Sequence, residues 1–172
     1  MYLQAIQLLR TQPCLAEPGK IVVVGQPSQP LDEVLPFLAT LPNVIAYNPH
    51  GPALTFRRER GFLTLYRDQV VITQVDDHER GVELLAALVD AINATWDSRH
   101  ELIAITAPKR SLRPLDLWAL LPQTNCKVCG AATCMAFAFG LIQRQYDLDE
   151  CTPLIQEAAR AAQLASLRAM LG

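Results

Sequence analysis

The chain has 172 residues, of which 15 are Lys or Arg and 17 are Asp or Glu, for a net charge of −2. That length can bury a real core without a staple, and the mixed charges form no block suited to a phosphate backbone or an anionic lipid surface. Nucleic acid is therefore excluded as a first partner, and so is the membrane, since no stretch approaches the ~18 apolar residues that span a bilayer.

The opening MYLQAIQLLRTQPC has no basic segment leading into a continuous apolar run, so no leader is expected. KIVVVG (20–25) reads as a buried strand ending in a glycine turn, and LDEVLPFLATL (31–41) as an amphipathic helix interrupted by Pro36. NVIAY (43–47) is the next strand. Residues 53–75 alternate apolar and polar positions and are broken by RERG and RDQ, the pattern of an antiparallel meander with one dry face. The following DDHERGVELLAALVDAINATW (76–96) places Val82, Leu85, Val89, Ile92 and Trp96 on one helical stripe, with Asp76 or Asp77 as the cap. ELIAI (101–105) reads as a final strand.

Residues 1–108 are thus expected to form an α+β domain, an antiparallel or mixed sheet with helices packed on one face. The basic, proline-bounded TAPKRSLRP (106–114) marks a boundary. Residues 109–172 follow as a small all-helical domain: a short helix in LDLWALLP (115–122), then Ala- and Leu-rich helical composition over 131–145 and 152–171. The last helix suits packing against its neighbour and against a second subunit, so a homo-oligomer is one expected assembly.

Four of the five cysteines, Cys126, Cys129, Cys134 and Cys151, follow the spacing C-x2-C-x4-C-x16-C. An odd total, so clustered, argues for a local site in a reducing, cytoplasmic compartment over a secreted disulfide framework. A tight turn at Gly130 lets the first pair of thiolates converge while backbone N–H groups face the sulfur charge. The x4 step brings Cys134 from the first turn of the next helix, and a helix followed by YDLDE has the reach to return Cys151 to the same point. Gly140 in that helix lets another backbone approach closely. Three readings stand: an iron–sulfur cluster, zinc, or inert buried thiols. Zinc with four cysteines usually shows two close pairs in a polar setting, whereas only one close pair exists here and AATCMAFAFGLI is apolar, which favours the cluster.

Residues 115–154, with Pro122, Asn125, Cys126, Cys129, Gly130, Thr133, Cys134, Phe137, Ala138, Cys151 and Leu154 as shared elements, resemble a known family. This stretch is similar to the four-cysteine [4Fe–4S] domain at the N-terminus of the large subunit of the corrinoid iron–sulfur protein, and to one in the B subunit of Rnf-type electron-transport complexes. The resemblance implies that the four cysteines ligate one [4Fe–4S] cluster whose job is one-electron transfer. It covers about a quarter of the chain, which has no room for a corrinoid-carrying barrel and none of the extra ferredoxin cysteines.

The other chemistry-bearing residues invite plainer roles. Cys14 is a lone buried thiol, and His50, His78 and His100 are too scattered for a site. Lys127 is a solvated loop lysine, RRER (57–60) solvates a hairpin tip, and GQPSQP lacks the residues of a phosphate loop. No nucleophile–base pair is legible, so the expectation is an electron-transfer or accessory protein with a protein redox partner, not an enzyme. The alternatives are a non-redox cluster stapling or sensing within an interaction module, and an accessory subunit of corrinoid-dependent methyl transfer.

Overall fold

Seven strands form one sheet in the computed structural model, which describes residues 1–172. They are β1 (Ile6–Pro13), β2 (Ile21–Pro27), β3 (Val44–Asn48), β4 (Ala53–Arg57), β5 (Phe62–Tyr66), β6 (Val70–Val75) and β7 (Lys109–Arg110). Their spatial order is β1-β2-β6-β5-β4-β3-β7, and every neighbouring pair is antiparallel. The α+β class is as expected.

One face of the sheet is covered by α1 (Leu35–Leu38) and α2 (His78–Asp97). Leu85 and Ile92 of α2 pack with Val23, Leu54, Leu65 and Ile72 from the strands. Asp77 caps α2 by accepting the Arg80 N–H at 2.8 Å. Val82 departs from the expected stripe and is 46% exposed. Its place at the sheet is taken by Gly81, where an added Cβ would stand 2.7 Å from Val23 Cγ2. The helix expected over 31–41 shrinks to the single turn of α1. Pro36 lies in its first turn, where a missing N–H is harmless, so it starts the helix and does not interrupt it.

Residues 101–105 are not a strand. The Ile105 N–H donates to Pro36 O at 2.9 Å, and the free edge of β3 is taken by β7, followed by the Ser111 N–H on Ile45 O at 2.8 Å. Conversely, β1 forms where no strand is expected, because a bulge between Leu8 and Arg10 breaks the period of two. The Asn93 side chain fixes the entry to β1, accepting from the Tyr2 and Leu3 N–H groups and donating to Leu3 O.

The second face is dry as well. Ile45, Ala46 and Phe62 share a core with residues of α3 (Pro114–Trp118), α4 (Cys134–Ile142) and α6 (Ala161–Leu171), and α6 lies over β3 and β4. The polar positions of the meander that face this way are threonines: Thr55, Thr64 and Thr73 are all buried, with Thr55 and Thr64 hydroxyls 3.3 Å apart and Thr73 Oγ1 accepting the Phe62 N–H. Mutual hydrogen bonding is what lets them lie under a helix. Tyr66 is half-buried with its hydroxyl enclosed, and that burial pushes its phenol up to about 12.

The hairpin charges tie the layers together. Arg57 donates through Nε and Nη2 to the carboxylate of Asp116 in α3, which is 5% exposed and also accepts the Arg113 N–H at 2.9 Å. Arg58 donates to Thr73 O at 2.8 Å. Two of the four RRER residues therefore make internal contacts beyond solvating the tip. Asp116→Ala should cost about 2–3 kcal/mol in urea unfolding, less than a fully buried pair because Arg57 retains some access to water. An unchanged midpoint would show that the pair does not anchor α3.

Candidate metal centre

The segment between α3 and α4 has no regular structure but a demanding backbone. Gln123, Asn125, Lys127 and Gly130 all have positive φ, at 58°, 49°, 62° and 86°. Left-handed residues other than glycine each cost on the order of 1 kcal/mol, so this loop is held by its surroundings. Positive and negative φ alternate from Gln123 to Val128, and the Gly130 N–H closes the turn on Lys127 O at 3.0 Å. The Val128 N–H, helped by the Thr124 hydroxyl, holds the Cys126 thiol below its ordinary value.

Cys134 is the first residue of α4. Thr133 caps this helix through Oγ1, which accepts the Ala136 N–H at 3.0 Å, and the Cys134 N–H donates to Asn125 Oδ1 at 2.8 Å. After α4 the chain turns through a 3₁₀ turn at Leu148–Glu150 and delivers Cys151 directly before α5 (Thr152–Gln156). Burial pushes the Cys151 thiol up, and the Cys129, Cys134 and Cys126 thiols push it further, against an opposing N–H from Leu154.

All four cysteines line one small hollow, with Ala131, Phe137 and Pro153 as its apolar wall. They descend in exposure: Cys126 is at the rim, Cys129 is half-buried, and Cys134 and Cys151 are buried. No three of them close on a point as ligands of a single ion would.

The wall behind Phe137 is aromatic. Tyr146 packs on Phe137 with ring centroids 5.4 Å apart, and the same Tyr146 ring occupies the gap left by Gly140, where an added Cβ would lie 2.1 Å from Cδ2. The close approach expected at Gly140 is therefore made by a side chain, not by a backbone. Asp147, Asp149 and Glu150, just before Cys151, border an open groove that also holds Arg110, Arg144 and Arg168, and Arg168 pairs with Asp149 at 3.0 Å.

Cys14 stands outside the hollow, in a small core with Val22, Val24 and Val71. None of the three histidines reaches the hollow, whereas Lys127 contributes to its lining. Sequence reasoning missed the Thr124 and Val128 contacts to sulfur and the Tyr146 wedge. A glycine in an apolar helix with a tyrosine six residues on was the available signal for the wedge.

A family model described as "Putative Fe-S cluster" matches residues 121–153. Residues 121–153 carry an iron–sulfur segment. The gamma subunit of the acetyl-CoA decarbonylase/synthase complex of Methanosarcina acetivorans is 52% identical over 58 residues, covering 34% of this chain and 12% of that protein. The gamma 2 subunit of Methanosarcina thermophila is 50% identical over 58 residues with the same coverage, and the gamma subunit of Methanocaldococcus jannaschii is 46% identical over 44 residues, 26% of this chain and 9% of that one. The chain thus spans about an eighth of the length of the Methanosarcina relatives it matches. No solved structure matches it. No helix is long and apolar enough to cross a membrane.

The Tyr146 wedge is testable. Gly140→Ala gains about 1 kcal/mol of helix propensity but forces the ring off Phe137, an overpacking cost of about 1–3 kcal/mol, so a net loss is expected in thermal or urea unfolding. In a Tyr146→Ala background the same substitution should stabilise. Destabilisation in both backgrounds would rule out the ring as the cause.

Proposed function

We propose that residues 109–172 form a cluster-binding unit in which Cys126, Cys129, Cys134 and Cys151 hold one [4Fe–4S] cluster, and that the protein exchanges single electrons with a partner protein. The observation that carries this reading is the shared hollow: four thiols from separate points of the chain line one space with an apolar wall. Four thiolates are the donor set such a cluster takes, and the residues present fit it. A bound cluster supplies a one-electron couple.

The chain's own residues would set the conditions for that couple. Phe137, Ala131 and Pro153 keep water from the inner side, and the Val128 N–H favours charge on the Cys126 sulfur at the rim. Cys126 and the 62% exposed Val128 present the rim at which a partner would exchange electrons. The acidic run before Cys151 contributes little net field, since arginines share its groove. A low potential would then rest on the burial of Cys134 and Cys151, because an apolar surround disfavours the added charge of reduction.

The relatives are named as subunits of a complex, and the match to them covers 34% of this chain. We infer that this chain uses the segment within an assembly of its own, with residues 1–108 contributing other surfaces. The resemblance to the corrinoid iron–sulfur protein and Rnf domains supports the cluster type. A second reading, a cluster that only staples the fold, is favoured by the core that Cys134 and Cys151 share with the sheet residues Ile45 and Phe62.

Anaerobically prepared protein should carry about four irons and four sulfides per chain, as the cluster type requires; stoichiometric zinc would overturn the proposal. Cys14→Ser should retain the full charge-transfer absorbance and Cys129→Ser should lose most of it. Equal loss would overturn the ligand assignment. Reversible one-electron reduction, followed by electron paramagnetic resonance in a potentiometric titration, supports electron transfer. A cluster that disintegrates on reduction supports the staple.

A further inference from the structure

We propose that Asn125 is a positioning residue of the cluster site: its side-chain oxygen holds Cys134 in place and withholds the Cys134 N–H from the sulfur face, which keeps the potential low. This rests on the cluster assignment above.

The contact joins two elements that nothing else fixes at this point. Asn125 belongs to the strained loop, and Cys134 opens α4, nine residues later; Oδ1 of the first accepts the N–H of the second at 2.8 Å. Asn125 itself has φ 49°, a conformation that asparagine tolerates better than most residues. The side chain therefore fixes the separation of Cys126, its chain neighbour, from Cys134.

The choice of donor matters because the first turn of a helix offers N–H groups that have no intrahelical acceptor. In α4 the Ala136 N–H goes to Thr133 Oγ1 and the Phe137 N–H to Thr133 O. With the Cys134 N–H on Asn125, the Met135 N–H and that of the cap residue Thr133 are left without a protein acceptor. An N–H that reaches a cluster sulfur stabilises the more negative, reduced state and raises the potential. Asn125 diverts such a donor at Cys134.

Two variants separate the backbone from the acceptor. Asn125→Gly keeps the left-handed turn and removes the oxygen; Asn125→Asp keeps the oxygen. On cluster-loaded protein, a potentiometric titration followed by electron paramagnetic resonance should show an upward shift of the midpoint for Asn125→Gly and no upward shift for Asn125→Asp, whose added negative charge acts in the opposite direction. A midpoint for Asn125→Gly at or below wild type would overturn the proposal. If Asn125→Gly instead fails to load iron while Asn125→Asp loads fully, the positioning role is supported, and equal loss in both overturns it.

Amide hydrogen exchange at Cys134 in metal-free protein reads the contact without any cluster. It should be at least tenfold faster in Asn125→Gly than in wild type, and an unchanged rate would overturn the proposal. Wild-type protein that takes up no iron would sink the cluster assignment and the claim on potential together, while the exchange rate would still decide the contact.

Discussion

The face of the sheet that carries Ile45, Ala46 and Phe62 has no cover until residues 114–171 fold onto it. A sheet dry on both sides needs two layers of cover, and α1 and α2 supply only one. Everything at the candidate centre follows from how the second layer is built. α3 is tied down by Asp116 on Arg57, α6 lies across β3 and β4, and α4 packs against α3 with its first residue, Cys134, lining the hollow. The buried thiols are thus part of the same core that closes the fold.

Two opposed demands meet at the four cysteines. Burial disfavours thiolate charge, as the raised Cys151 shows, while N–H groups and a hydroxyl favour it, as the lowered Cys126 shows. The site resolves the conflict by depth. Its inner half is apolar core and its outer half is a loop rich in left-handed residues. Such a loop would relax if left alone, so the contact from Cys134 to Asn125 and the turn at Gly130 do structural work out of proportion to their number.

Much of this was legible because the signals are local. The apolar run at 20–25, the alternation over 53–75 and the Asp77 cap predicted β2, the meander and α2, and the cysteine spacing drew attention to the residues that share the hollow. What escaped depends on partners distant in sequence. The threonines of the meander read as a wet face, yet Thr55 and Thr64 satisfy each other's hydroxyls under α6. β1 was hidden by its bulge, and ELIAI looked like a strand although β7 takes the edge it would have needed. At Gly140 the close approach was legible and its occupant, Tyr146, was not.

Order of synthesis gives the shared second face a further meaning. The ribosome delivers the sheet and α2 first, and the segment that covers Ile45, Ala46 and Phe62 emerges only after them. Until it arrives, the nascent chain exposes a flat apolar surface of the kind that associates with its neighbours. The iron–sulfur segment is therefore also the shield that ends the chain's exposure to aggregation, and interruption of translation before residue 114 would release a sticky half-molecule.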